Sequence, residues 1–391
     1  MDFKFFINKE QIARIKTLQN FIKKLESISP LSQTQLFVVE DDKLTIYGYG
    51  NGSLGSGNIQ ATFDLITDKE NDNFYFSCSI GNFVKFLEKT KSDIISVTLK
   101  DRTSLTIKGE NTKSVFNQTV LATVDAEVEE IKKAVVEYPT SNYYKASKTI
   151  KLSGSKDTIS IASQLLALLN TNKFLTIGNK NIRVADDCSI IDLKTDIEDE
   201  ASLLKTTANL FADVDEIKYY KDDSGCAWIY ADVAQYGITL YFAQEPENFQ
   251  CPTDAEIEAM SPKDKYITIS VKVEDLFNAF DEFKDVFSND SWQYKQVSMV
   301  TDVNASLFKM HFDDMVTSIE TELPFTIVEN KEDENEFSMT FPFLQLNVLE
   351  PIIRQNEVLT FTYSSLPGEP IIKITGDKNS FNNIIITKLM D

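Results

Sequence analysis

One pattern constrains this chain more than any other feature. A short alternating strand, a helix of two to four turns and three further strands recur six times along 391 residues. The first copy reads DFKFFI, a helix over 9–25, then TQLFVVE, KLTIYGY and NIQATFDLI. The second reads NFYFSCSI, GNFVKFLEKT, IISVTLK, SLTIKGE and SVFNQTVLA. The third reads DTISIA, SQLLALLN, FLTIG, NIRVA and SIIDLKT. The fourth has no clear opening strand and reads as a helix ASLLKTTANLFAD, then EIKYYK, CAWIYAD and GITLYFAQ. The fifth reads YITISV, VEDLFNAFDEFKDVF, QYKQVSMV, SLFKMHF and TSIETELP, and the sixth FSMTFP, LQLNVLEPII, VLTFTYS, IIKITG and NNIIITKL. The strands alternate with period two and the helices with period 3.6. A unit of this size cannot bury its own apolar face, so copies must pair.

Six copies pair into three domains of ordinary size. The expected limits are 1–130, 131–262 (with a connection over 131–157) and 263–391. The stretch PENFQCPTDAEIEAMSPKDK, with three prolines, reads as the second linker, and the acidic run ENKEDENE joins copies five and six. Local antiparallel strands with helices segregated to one face make an α+β protein.

Little in the chain can do covalent chemistry. The single histidine, His311, sits in SLFKMHFDD, where alternation puts it on the polar face of a strand. GYGNGSLGSGN contains a literal G-x-G-x-x-G, but a second strand follows it where a dinucleotide site needs a helix, so it reads as a hairpin loop. DKENDNF lacks the glycine of a calcium loop. Asp pairs such as Asp186–Asp187 fall where turn chemistry explains them. Cys78, Cys188, Cys226 and Cys251 are scattered without metal spacing and read as reduced thiols of a cytosolic protein. No apolar run approaches the ~20 residues of a membrane span. No enzyme activity, metal or cofactor is expected.

The charge distribution is uneven. The chain has net charge −21, yet KEQIARIKTLQNFIKKLE (9–26) is basic. Ile12, Ile15, Leu18, Ile22 and Leu25 gather on one helical face, and Lys9, Lys16 and Lys23 form a stripe roughly opposite. Alone, such a stripe is a solvated face; it becomes a phosphate-facing surface only if the rest of the chain agrees. The fifth helix runs the other way, with Glu274, Asp275, Asp281, Glu282 and Asp285 against Lys284.

Three domains of doubled β-α-β-β-β units resemble the bacterial-type DNA polymerase sliding clamp, the beta clamp. NIRVADDCSIIDL is similar to a strand–turn–strand of the family's second domain, matching at Val184, Ala185, Asp187 and Ile191. Cys188 stands at the usual turn glycine, and Ser189-Ile190 at a His-Arg step. EPENFQCP matches the exit from that domain at Pro246 and Pro252, and the tail IITKL matches the family's ending at Leu389 without its proline. Departures of this degree, with an Asn-, Ile-, Lys- and Phe-rich composition, point to a phage-encoded version acting in a host cytoplasm.

The resemblance implies a non-catalytic homodimeric ring, with helices lining a hole for duplex DNA and antiparallel sheets outside. A clamp-loader ATPase opens it, and it tethers a DNA polymerase as a processivity factor, with no membrane partner. It implies a DNA-facing set of Lys9, Arg14, Lys16, Lys23, Lys24, Lys85, Lys89 and Lys91. It also implies a hydrophobic peptide groove at Asp186, Cys188, Ile190, Ile191, Pro246, Ile386 and Leu389. Ring closure would pair SVFNQTVLA with an edge of the fifth unit. The competing expectation is an acidic, β-rich structural, virion or carbohydrate-binding protein, which needs no lysines in register on repeated helices.

Overall fold

The structure is a computed structural model. It describes residues 3–26, 34–52, 55–67, 74–101, 103–110, 112–121, 128–133, 141–168, 174–186, 189–245, 251–261, 263, 265–286, 296–305, 307–313, 318–331, 336–364, 371–378 and 380–386. The chain forms two compact units: Met1–Lys156 with Asn209–Glu247, and Asp157–Ala208 with Asn248–Asp391. Every strand pairing in the described residues is antiparallel.

The six copies pair by exchanging their opening strands. Phe3–Asn8 of the first copy joins Ile94–Lys100 of the second, and Phe74–Cys78 of the second joins Gln35–Glu40 of the first. Lys148–Lys151 joins Glu216–Lys221, and Ala201–Leu204 joins Phe174–Gly178. Ile267–Lys272 joins Val358–Ser364, and Glu336–Pro342 joins Gln296–Asp302. Each three-stranded meander therefore gains a fourth strand from its partner copy, so neither copy of a pair is complete alone.

A second rule joins the meanders at their last strands. Gly55–Asp64 of copy one pairs with Ile238–Gln244 of copy four, which makes an eight-stranded sheet in the first unit. Ser189–Lys194 of copy three pairs with Phe381–Ile386 of copy six, which makes a nine-stranded sheet in the second unit. Among the described residues, the last strands of copies two and five, Val115–Thr119 and Ser318–Leu323, end a five-stranded and a four-stranded sheet with one side unpaired.

The cores follow from the two periodicities. In the first unit the helix Lys9–Glu26 buries Ile15, Leu18, Phe21 and Ile22 against strands of the first copy and packs beside the helix Ile80–Thr90. Phe37 stacks on Phe76 at 4.9 Å and meets Phe83 edge-on at 5.1 Å. In the second unit Phe277 and Phe280 on the helix Val273–Val286 meet at 5.7 Å. Each fully buried ring of this kind contributes roughly 1.5–3 kcal/mol.

The helix Lys9–Glu26 approaches its sheet closely at Gly48, where an added Cβ would lie 2.8 Å from Ile22 Cγ1. Gly48→Ala is expected to force this helix outward and cost about 1–3 kcal/mol, measurable as a lower denaturant midpoint.

Several described elements differ from the sequence reading. DTISIA is not a strand but the first half of the helix Lys156–Leu168; the third copy's opening strand is Lys148–Lys151, inside the expected connection. The buried set Ile159, Ala162, Ser163, Leu165 and Leu166 has helical spacing, whereas Ile159 and Ile161 between Thr158 and Ser160 look alternating over the first few residues. ASLL, read as the start of the fourth helix, is the strand Ala201–Leu204, buried at all four positions, and the helix is Lys205–Phe211. A continuous apolar run of four cannot be assigned by periodicity. An additional strand, Phe325–Asn330, precedes the acidic run, and the second linker contains the helix Asp254–Met260. The glycine-rich loop is a hairpin, with pairing up to Gly52 and Gly55.

Candidate nucleic-acid and partner surfaces

The basic surface begins with a cap. Asn8 Oδ1 accepts from Gln11 N at 2.9 Å while Gln11 Oε1 accepts from Asn8 N at 2.8 Å, which satisfies two donors at the start of the first helix. Gln11 is further held by donating to the Asp64 carbonyl. This fixes the rotation of the helix, and Lys9, Lys16 and Lys23 come out exposed together. On the neighbouring helix Lys85 and Lys89 are exposed, with Lys91 at its left-handed C-cap. Lys16 reaches across to Glu88 at 2.6 Å, with both side chains about half exposed. Such a pair is screened and readily exchanged for a phosphate.

Arg14 and Lys24, expected in the DNA-facing set, make contacts within the first unit. Arg14 lies two residues, about 200° round the helix, from the stripe at Lys16. Its Nε donates to Tyr236 O at 3.0 Å and its Nη2 to Thr62 O at 3.1 Å, with the guanidinium 4.9 Å from the Phe63 ring. It ties the helix to its sheet. Lys24 donates to Asn209 O at 2.9 Å and pairs with Asp213 at 2.6 Å. Two basic side chains of other helices are also engaged: Lys156 with Asp215, and Arg354 with Glu350 and Asp281. On the acidic fifth helix Glu274 and Glu282 are exposed, and Asp281 is the carboxylate that meets Arg354.

Of the residues expected at a peptide groove, Asp186, Ile190, Ile191 and Ile386 lie in the second unit. The strands Asn181–Ala185 and Ser189–Lys194 flank a turn in which Asp186 Oδ1 accepts from Ser189 N at 2.7 Å and from its hydroxyl at 3.1 Å. The pairing of Ser189 with Ile386 brings the turn beside the last described strand, Phe381–Ile386. Ile191 faces the sheet's buried side, while Ile190, Ala185 and Ile385 form an apolar cluster on the other. Cys188, Pro246 and Leu389 lie outside the described residues, and for Ile386 only its backbone pairing is described.

Several residues at this surface were not singled out in the sequence. Arg183 makes a two-pronged bond to Asp192, with Nη2 3.0 Å from Oδ2, and also meets Asp254 at 2.6 Å and the Pro252 carbonyl. Burial lowers the guanidinium's pKa, but the bonds to Asp192 and Asp254 outweigh it and raise the pKa above its ordinary value. Ile257, on the linker helix, is 4% exposed and completes the apolar cluster, with Cys251, Met260 and Ile371 packed around it. The signal for this helix was present as Thr253-x-x-Glu256, which forms a full capping box.

By sequence, the chain matches no family model and no curated protein. By structure it is similar along its whole length to solved DNA polymerase III beta subunits. The subunit from Borrelia burgdorferi superposes with a TM-score of 0.65 at 14% identity, covering 100% of both chains. The sliding clamp from Caulobacter crescentus gives 0.65 at 12%, and the beta subunit from Thermotoga maritima 0.63 at 13%, again covering 100% of both chains. This is the sliding-clamp fold. In that fold the exchanged strands and joined meanders are the framework, and the lysine face and the Ile190 cluster are surfaces carried on it. Among the described residues no group of three or more His, Cys, Asp and Glu side chains could hold a metal, and no helix is long and apolar enough to cross a membrane.

Proposed function

We propose that the chain is a DNA polymerase processivity factor, a sliding clamp in which two copies close head to tail into a ring around duplex DNA. The observation that carries this reading is the pattern of meander junctions. Copy one joins copy four and copy three joins copy six, while the last strands of copies two and five keep an unpaired side. The same rule applied once more pairs Val115–Thr119 of one molecule with Ser318–Leu323 of a second. Two such junctions close a dimer and leave neither edge exposed. The opening-strand exchange supports three domains over 1–130, 131–262 and 263–391, with helices toward the hole.

A ring holds DNA by topology, so its contacts need only be weak and sequence-independent. Lys9, Lys16, Lys23, Lys85, Lys89 and Lys91 supply them, and the acidic remainder repels DNA from the outer surface. The function requires no catalysis. A loader ATPase opens the ring, and polymerase docks through a short apolar motif at the surface around Asp186, Ile190 and Ile386, with Ile191 supporting it from the sheet's buried side; Cys188, Pro246 and Leu389, expected in the same set, lie outside the described residues. The setting is the cytoplasm, that of the host if the gene is phage-borne.

The test is retention on circular DNA. The protein is incubated with nicked circular duplex, a clamp-loader ATPase and ATP, and passed over a sizing column at about 0.2 M salt, where phosphate contacts alone fail. It is expected to travel with the circle and to be lost once the circle is cut. Equal loss from circle and line would overturn the reading. Lys85→Glu with Lys89→Glu is expected to reduce the amount captured several-fold while preserving the circle-to-line difference.

A further inference from the structure

The linker helix Asp254–Met260 is fastened across one face of the sheet at three points. At its start Asp254 and the Pro252 carbonyl meet Arg183. At its end Ser261 Oγ accepts from Lys373 Nζ at 2.9 Å. Between them Ile257 fills the space over Ala185, Ile190 and Ile385. The cross-strand pairs Arg183–Asp192, Ala185–Ile190, Ile190–Ile385 and Lys373–Ile385 place all of these on one face.

The fastening is uneven in kind. Arg183 is already balanced by Asp192, which is 3% exposed, whereas Asp254 is 71% exposed. The second carboxylate is therefore an addition at the rim, replaceable without uncovering a buried charge. The apolar side chains that Ile257 covers, Ala185, Ile190 and Ile385, stand on strands paired with one another independently of the linker. A carboxylate followed three residues later by a branched aliphatic is what this surface selects from its own chain. Residues so spaced lie one turn apart on a helix.

We propose that the segment 252–261 is an internal occupant of the partner-peptide site. On this proposal the site takes an acidic–aliphatic segment of a partner protein, which displaces the chain's own Asp254 and Ile257. The proposal rests on the partner-surface reading above and adds the chemistry of the motif and the competition that regulates it. A partner carrying the motif must outcompete a tethered segment, so a single weak motif is rejected and a well-matched one is admitted.

The probe is a labelled peptide of residues 253–260, TDAEIEAM, read by fluorescence polarisation on the full-length chain. Ile257→Ser, and the milder Ile257→Ala, are expected to bind it at least tenfold more tightly than the native chain. A peptide with its isoleucine replaced by serine should lose that binding. Equal affinity for native and variant chains, or no binding to folded Ile257→Ala, would overturn the proposal. A measurement without any variant stands beside it: excess peptide should speed hydrogen exchange of the 254–260 amides in the native chain, and unchanged exchange would count against displacement. Solution mass on the same samples separates the two readings. A dimer that ignores the peptide refutes only the internal occupant, and a monomer that binds it refutes only the ring.

Discussion

A chain carrying Val115→Glu and Asn117→Glu is expected to be a 44.3 kDa monomer at concentrations where the native chain has twice that mass. Val115 and Asn117 are exposed on the unpaired edge of the five-stranded sheet, Val115 at 48%. The strand proposed to meet them carries Glu320 and Glu322 on the corresponding outer face, where Lys309 is the nearby cation. Native pairing would set an apolar and an amide side chain near those acids. The double substitution sets acid against acid along a shared ladder, and like charges directly opposite destabilise a strand pair. Loss of the ladder hydrogen bonds follows, and the dimer should weaken at least a hundredfold. Adding Glu320→Lys and Glu322→Lys to the same chain should restore it in part, as light scattering would show. A double variant that stays dimeric would mean that another surface closes the assembly.

Arg183→Ala should produce the largest single loss of stability in the second unit. It leaves Asp192 buried with its partner removed, and breaking a buried pair from one side costs about 3–5 kcal/mol. It also frees the start of the linker helix at Pro252 and Asp254. Urea unfolding followed by hydrogen exchange in strands 181–185 and 189–194 would measure it. Arg183→Leu with Asp192→Leu should recover most of the loss, because an apolar pair of matching size leaves no uncompensated charge. A cost under about 1 kcal/mol for Arg183→Ala would show that water reaches Asp192.

The repeat was legible because its elements are long and their periods differ. The helix Val273–Val286 and strands such as Ile94–Lys100 stand almost where alternation put them. Legibility failed where segments were short. DTISIA satisfies a strand period over five residues and a helix period over thirteen, and only the longer count decides. ASLL is buried at every position, so it has no period to read. The exchange of opening strands was not legible at all, since a strand's sequence shows which face is buried and not which neighbour it bonds.

The surfaces were legible in part for the same reason. Lys9, Lys16 and Lys23 were readable because a seven-residue spacing keeps them on one stripe. Arg14 and Lys24 were basic and nearby, but their angles on the helix send them to backbone carbonyls and to Asp213. Ile190 was found through a resemblance, whereas Ile257 sits over it because of a linker whose capping box, Thr253 to Glu256, reads as a helix start only when sought.

Negative-stain electron microscopy of the purified native protein is expected to show particles of two copies forming a closed ring around a hole wider than duplex DNA. Solid particles without a hole at every concentration would contradict the ring.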